Sequence, residues 1–249
     1  MALGGCAIFK VVPSQLESPR IAIQLTEEAT VASGAPVDSV FLGSARSFLS
    51  ASIRLEAAGK VAYIDPLLLK DLKPADFVFI THAHEDHLSL PDIAKVATER
   101  TIVVCPQTAA EALASYSPRV VKPGDRLELG AFVVEAVPAY NLEPLFLWLV
   151  AHPKSDQNVG YVLMVAGKRI YHSGDTAHVP ELDTLRGLDL ALVAVGGEPR
   201  DSMDAAAAAA LVNAIKPKLA VPMHYALGKG IAEDFARQVG PDVRVELAR

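Results

Sequence analysis

Short apolar runs, punctuated by glycine, proline and small polar residues, dominate the chain, and most are too short for anything but strands. Residues 21–25 alternate apolar and polar, and Ser33-Gly34-Ala35-Pro36 reads as a turn. The runs 40–42, 52–56 and 61–64 are broken by Gly43 and by Ala58-Gly59-Lys60, and the last two predict a hairpin. Phe77-Val78-Phe79-Ile80, preceded by Lys73-Pro74, has no polar position and predicts a buried strand. Further strands are expected over 101–105, 190–195 and 219–221. A turn at Pro123-Gly124-Asp125 precedes two expected hairpins, 126–129 with 132–136 about Gly130, and 161–165 with 169–172 about Ala166-Gly167-Lys168. Helical patterns cover 93–98, 108–115 and 203–215, with Pro91 suited to the first turn of the first. The alanine run 205–210 carries helix propensity and nothing further. Strands and helices recurring in this way favour α/β layers, and neither a sequence repeat nor a linker divides the chain.

The chemistry concentrates in Thr81-His82-Ala83-His84-Glu85-Asp86-His87, which holds three of the seven histidines. It follows the 77–80 run directly, so these residues fall where a buried strand gives way to a loop, the end at which ligands bind in open α/β sheets. On an extended segment His82 and His84 point to the same side. Asp86 and His87 come after the chain has turned, so they can face the same centre from another direction. Neutral imidazoles suit zinc, iron or nickel, and an added carboxylate suits a hydrolytic site. The plainer reading is a polar loop that happens to carry histidines, and the spacing at a strand end argues against it.

His82-x-His84-x-Asp86-His87 resembles the signature of the metallo-β-lactamase superfamily. Three further segments match in order: Tyr63-Ile64-Asp65-Pro66, Tyr171-His172-Ser173-Gly174-Asp175-Thr176 and Pro222-Met223-His224-Tyr225. Together they span most of residues 40–249, and Pro138-Ala139-Tyr140-Asn141 resembles a branch of metal-dependent hydrolases and lactonase-like enzymes. The resemblance implies an αββα sandwich of the α/β class over residues 40–249, with 1–39 as an extension packed on or preceding it. It further implies a dinuclear centre, with zinc the default and manganese or iron open. His82 and His84 would hold the first ion, Asp86 the second, Asp175 would bridge, and His87 and His224 would complete the ligand set. Asp86 would also orient the attacking water. Asp65 would steady a ligand histidine, although Asp before Pro is equally an ordinary turn initiator. His172 is expected to point away from the ions or to support a ligand from behind, and His178 to lie at the surface, with a substrate contact the alternative.

Two departures from the family pattern stand out. The Gly-His pair usual before the strand at Ser52 is replaced by Leu49-Ser50. The histidine usual between the first motif and Gly174-Asp175 is replaced by Ala139-Tyr140-Asn141. The branch carries a His-Pro just downstream, here His152-Pro153, so His152 is either the substitute ligand or a loop residue far from the site. Iron flavoproteins of the superfamily carry glutamate at the place of His84, which disfavours reduction of oxygen or nitric oxide. No Gly-x-Ser-x-Gly elbow is present for a serine nucleophile. A water-using hydrolase acting on an ester, lactone, amide or phosphodiester is the reading that results. A non-catalytic metal-binding protein and a lipid-directed phosphodiesterase are its alternatives.

Composition narrows the partners. A net charge of −6 supplies no basic surface for nucleic acid, so a small-molecule substrate is expected. Hydrophobic content of 51% argues against disorder, and no apolar stretch has the length of a membrane span. Cys6 and Cys105 make no disulfide framework, and Cys105 reads as a packed thiol. Leu3-Gly4-Gly5-Cys6 resembles a lipobox, yet lacks a basic start and an apolar region of signal length before it. A cytoplasmic location is therefore expected, with an exported lipoprotein the alternative if a signal once preceded Cys6. Leu145-Phe146-Leu147-Trp148-Leu149-Val150 lacks alternation and carries the sole tryptophan. It reads as a short buried segment or a subunit contact of a homo-oligomer, or else as an apolar wall beside the ions favouring substrates with an apolar portion.

Overall fold

In the computed structural model the described residues are 9–33, 36–41, 44–144, 147–196 and 201–249. The lipobox-like segment, Gly43, the middle of the turn at 33–36 and the first two residues of the 145–150 run lie outside them. Two seven-stranded sheets form the centre. From edge to edge the first runs Arg119–Val121, Ile102–Pro106, Phe77–Phe79, Lys60–Ile64, Ile53–Ala57, Ala29–Ser33, Ala22–Thr26. The second runs Arg126–Leu129, Phe132–Pro138, Val159–Val165, Lys168–His172, Leu190–Ala194, Leu219–Met223, Arg244–Val245. Each sheet is antiparallel at one side and parallel at the other; Lys60–Ile64, Phe77–Phe79 and Ile102–Pro106 run parallel, as do Lys168–His172, Leu190–Ala194 and Leu219–Met223.

The period-two alternation of side chains builds the layers. Ala62, Ile64, Phe77, Phe79 and Val104 face inward and share one core with Phe132, Val134, Tyr161 and Leu163 of the second sheet. Their neighbours Tyr63, Val78, Ile80, Val103 and Cys105 face outward and pack on Ile93, Val96, Ala109 and Leu113. Ile93 and Val96 belong to the helix Leu90–Val96, capped by Ser89 with Pro91 in its first turn. Ala208, Ala209, Leu211, Val212 and Ile215 of the helix Ala205–Ile215 join the central core, with Phe235 from Ile231–Gln238. Helix, sheet, sheet and helix stack as an αββα sandwich. The thiol of Cys105 is fully buried, and burial pushes it up to about 11.

Two expectations change. The helix expected over 108–115 is only the turn Gln107–Ala110, followed by a 3₁₀ turn at Ala114–Tyr116. Ser117 then adopts a left-handed φ of 49° ahead of Pro118, which cannot continue a helix. The reading of 145–150 as buried fails: Leu147, Trp148 and Leu149 are 64%, 84% and 59% exposed. The strand Ala29–Ser33, which no clear alternation predicts, pairs with Ile53–Ala57 and carries Ala22–Thr26 at its outer side. Among the described residues no helix is long and apolar enough to cross a membrane.

Candidate metal centre

The carboxyl ends of the parallel strands in the two sheets converge on one spot. In the first sheet, Ile80 N–H donates to Val104 O at 2.9 Å, carrying the pairing past Phe79 to Thr81. Val159 N–H of the second sheet donates to Thr81 O at 3.1 Å and locks the sheets together there. His87 and Leu88 N–H both donate to His84 O, at 3.0 and 2.8 Å, so the chain doubles back and returns His87 towards His82. From the second sheet, Lys168–His172 leads into Gly174 and Asp175, and Leu219–Met223 leads into His224. Gly174 has φ +56°, and a Cβ there would lie 3.1 Å from Val159 O and 3.2 Å from Thr81 Cβ, which leaves glycine as the residue that fits.

Six side chains from these ends, joined by His152 from the loop between Phe132–Pro138 and Val159–Val165, fall into three overlapping groups. They are His82 with His84 and His152, His82 with His87 and Asp175, and Asp86 with His87 and His224; within each group the ligand-type atoms lie within 4.8 Å of one another. His152 Nε2 is 3.0 Å from His84 Nδ1. His87 Nε2 is 3.2 Å from Asp175 Oδ2, and His224 Nε2 is 3.2 Å from Asp86 Oδ2 and 3.6 Å from Asp175 Oδ2. The structure thus brings together His82, His84, Asp86, His87, His152, Asp175 and His224, with His152 inside the cluster and not on a distant loop.

The surroundings fix which ring nitrogens face inward. Thr81 Oγ1 donates to Asp65 Oδ2 at 2.6 Å, so it is an acceptor towards His82 Nδ1, 3.0 Å away. Asp65 Oδ2 accepts from His87 Nδ1 at 2.8 Å, and Asn141 Oδ1 accepts from His152 Nδ1 at 2.7 Å. With the proton on Nδ1, His82 and His152 turn the lone pair of Nε2 to the centre, and His87 would do so once a cation displaced its Nε2 proton. His82 Nε2, His87 Nε2 and Asp175 Oδ1 are buried there without a hydrogen-bond partner. Buried polar atoms are ordinarily paired, and unpaired lone pairs of imidazole and carboxylate converging in this way are a donor set that fits divalent cations.

The charges divide the cluster in two. Burial, reinforced by the other imidazoles, holds His82 well below its ordinary value, burial lowers His84, and burial brings His152 down to about 4, so this group is neutral. Burial also works against charge on His224, yet Asp175 and Asp86 outweigh it and raise the ring to about 9; His87 is raised in the same way by Asp175, Asp86 and Asp65. Burial opposes ionisation of Asp86, and His87 and His224 overcome it, taking the carboxyl to about 2. This half is a balance of carboxylates and protonated imidazoles in which a cation would replace the protons.

The other singled-out residues lie where their chemistry is used elsewhere. His172 Nε2 donates to Ala51 O at 2.8 Å and Nδ1 accepts from Gly174 N–H at 3.2 Å, so it shapes the turn before Asp175. His178 is half-buried and paired with Asp183 at 2.7 Å. Ser50, at the place of the absent histidine, is fully buried with Oγ unpartnered. Asp201 was not legible in the sequence: burial, then Asp175, raise its carboxyl to about 6 beside the cluster. It has no motif around it, and only the fold brings it there. The contacts of Thr81 and Asn141 were likewise hidden, although both stand next to or inside motifs.

Comparison with known proteins agrees with this geometry. The sequence pattern of the family described as "Beta-lactamase superfamily domain" matches residues 46–224. The chain is 33% identical over 196 residues to a UPF0173 protein of Pyrococcus abyssi, covering 74% of this chain and 85% of that one. It is 31% identical over 192 residues to a UPF0173 metal-dependent hydrolase of Thermococcus onnurineus, covering 70% and 79%. Among solved structures, a candidate metal-dependent hydrolase from Parabacteroides distasonis superposes with a TM-score of 0.72 at 25% identity, covering 86% of this chain and 94% of that one. Igni18, a metallo hydrolase of Ignicoccus hospitalis, superposes with a TM-score of 0.64 at 22% identity, covering 81% and 93%, and shows the same fold.

Proposed function

The chain belongs to the metallo-β-lactamase superfamily, and from that membership we propose that it is a hydrolase dependent on divalent cations held by the histidine–aspartate cluster. The observation that carries the reading is that His82 Nε2, His87 Nε2 and Asp175 Oδ1 are buried without a hydrogen-bond partner, on three side chains whose ligand-type atoms lie within 4.8 Å of one another. His82, His84 and His152 would hold one ion, Asp86, His87 and His224 a second, and Asp175 would stand between them. Zinc is the default for this imidazole-rich set, with manganese or iron compatible with it. When bound, such ions polarise the scissile group and lower the pKa of water to near neutrality.

The chain's own residues supply the rest. Asp86 remains ionised down to about pH 2, so its carboxylate can accept a hydrogen bond from the attacking water and orient it. Asp65, Thr81 and Asn141 keep the histidine protons on Nδ1, away from the centre. The substrate we propose is a small ester, lactone, amide or phosphodiester with an apolar portion. Leu142, Leu147, Trp148 and Leu149 are 60%, 64%, 84% and 59% exposed on the loop that starts at Asn141 and returns at His152, and the apolar portion would rest on them. We further propose that residues 40–249 carry the hydrolase site and that 1–39 is an extension packed on them; the pairing of Ala29–Ser33 with Ile53–Ala57 supports the packing, and it makes this part of the extension an integral edge of the first sheet.

The test is metal analysis of the purified chain together with His84→Ala and Asp175→Ala, each assayed on esters, lactones and phosphodiesters, lipid phosphodiesters included. Loss of bound metal and of turnover in both variants is the expected result. Full metal content in both would overturn the assignment. Metal without turnover in the unaltered chain would make it a metal-binding protein instead, as Leu49-Ser50 at the position of the usual Gly-His would then explain.

A further inference from the structure

We propose that Asn141 is a positioning residue for the first cation: its Oδ1 takes the Nδ1 proton of His152 and so presents Nε2, lone pair outward, to the space shared with His82 and His84. This rests on the reading of His152 as a ligand. Asn141 and His152 are 6% and 1% exposed, and they are joined twice. Asn141 Oδ1 lies 2.7 Å from His152 Nδ1, and Asn141 N–H donates to His152 O at 2.8 Å, which closes the loop between them at its base. The residue before Asn141 is tied in turn to the loop of Asp175: Ala177 N–H donates to Tyr140 O at 2.8 Å, and Tyr140 N–H donates to Thr176 Oγ1 at 3.3 Å. Asn141 therefore transmits the position of Asp175 to His152.

The orientation of the amide decides what His152 can do. Were the amide turned to place its NH₂ against Nδ1, the ring proton would sit on Nε2 and point at His84 Nδ1, 3.0 Å away, and His152 could bind no cation. With Oδ1 towards the ring, Nε2 carries the lone pair instead of the proton. The other inward-facing histidines are held by different acceptors, His82 by the hydroxyl of Thr81 and His87 by the carboxylate of Asp65. A carboxylate acceptor raises the basicity of the ligand ring more than a neutral amide does. Asn141 thus makes His152 a correctly directed but moderate ligand. Its Nδ2 is buried without a partner, so Asn141→Asp would break no hydrogen bond of the side chain.

Two measurements test this. The protonated nitrogen of His152 is read by ¹⁵N NMR of the chelator-stripped full chain, and zinc affinity is read by chelator competition on the zinc-loaded chain. The proton of His152 is expected on Nδ1 in the unaltered protein, and finding it on Nε2 overturns the proposal without any variant. Asn141→Leu should shift the proton towards Nε2 and weaken the first zinc by about 10–100-fold, the usual effect of losing such a partner. Asn141→Asp should keep the proton on Nδ1 and bind zinc at least as tightly. If Asn141→Leu keeps the tautomer and affinity of the unaltered chain while His152→Ala loses an ion, His152 stands as a ligand and the role of Asn141 falls. A His152→Ala chain that titrates like the unaltered one removes His152 from the ligand set, and this inference with it.

Discussion

Asp65 Oδ2 stands 2.8 Å from Nδ1 of His87, 22 positions further along, and neither side chain has any exposed surface. The same carboxylate accepts from Thr81 N–H at 2.8 Å and Thr81 Oγ1 at 2.6 Å. Its backbone sits at φ +46°, the left-handed region that Asp and Asn tolerate better than most residues. Turn former and histidine holder, the two roles open for Asp65 in the sequence, are filled by one residue.

Asp65→Asn separates them. Asparagine keeps the left-handed turn and an acceptor oxygen but removes the charge behind His87, so metal affinity should fall about 10–100-fold with the fold intact. Asp65→Ala would additionally strand the buried N–H of Thr81, costing about 1–3 kcal/mol. Chelator competition and urea unfolding read the two effects separately. Equal zinc affinity in Asp65→Asn and the unaltered chain would show that the charge has no part in the site.

The opposed shifts in the cluster give the metal-stripped chain a stability maximum near neutral pH. The folded value of His224 lies at about 9, above its ordinary 6.5, so its contribution is complete below pH 6.5 and is lost as pH rises through 9. His152 is depressed to about 4, so the unfolded chain binds the extra proton between pH 4 and 6.5, and stability falls as pH falls through that window. Thermal melts of the stripped chain should therefore peak near pH 6.5. Added zinc should abolish the alkaline decline, because the ion takes the place of the protons. A flat melting temperature from pH 6.5 to 9 without metal would contradict the assigned charges.

Gly160 lies in Val159–Val165, where a Cβ would meet His172 O at 2.7 Å and Ser173 O at 2.8 Å. Both obstacles are backbone, directly ahead of Gly174 and Asp175. Gly160→Ala should destabilise the chain by about 1–3 kcal/mol, as overpacking does, and weaken zinc binding as Asp175 is displaced. A urea midpoint unchanged from the unaltered chain would show that the strands yield freely there.

What the sequence revealed depended on how local each signal is. The strands at 77–80 and 190–195 were legible because a strand with no polar position has few other readings, and the motif at 82–87 because its ligand-type residues crowd into six positions. Ala29–Ser33 was hidden because its residues do not alternate, and it becomes a strand through pairing with Ile53–Ala57. The reach of His152 to His84 spans 68 positions, and nothing local encodes it. Asp201 was hidden for the same reason, standing alone in the sequence and close to Asp175 only in the fold. The 145–150 run misled because hydrophobicity predicts burial, whereas a loop held at its feet by Asn141 and His152 can carry apolar side chains outward.

That exposed apolar tip gives the last prediction. Leu142, Leu147, Trp148 and Leu149 are each more than half exposed. Covering such side chains is worth about 1.5–3 kcal/mol each, a reason to expect that something covers them in use. Four side chains fall far short of the roughly 20–30 residues a side of a stable subunit interface, and a net charge of −6 opposes an anionic membrane. The apolar portion of a substrate fits better, because the loop begins and ends at the site. Trp148 is the sole tryptophan, so its fluorescence reports on this spot alone. Long-chain carboxylic acids, as product analogues, should blue-shift its emission at constant protein concentration, in His84→Ala as well, while short-chain acids and anionic vesicles should not. Leu147→Ser combined with Trp148→Ala should then lose activity preferentially on long-chain esters or lactones, with metal content and oligomeric state unchanged. Equal loss on short and long chains, or a shift to monomer in gel filtration, would assign the segment to a subunit contact.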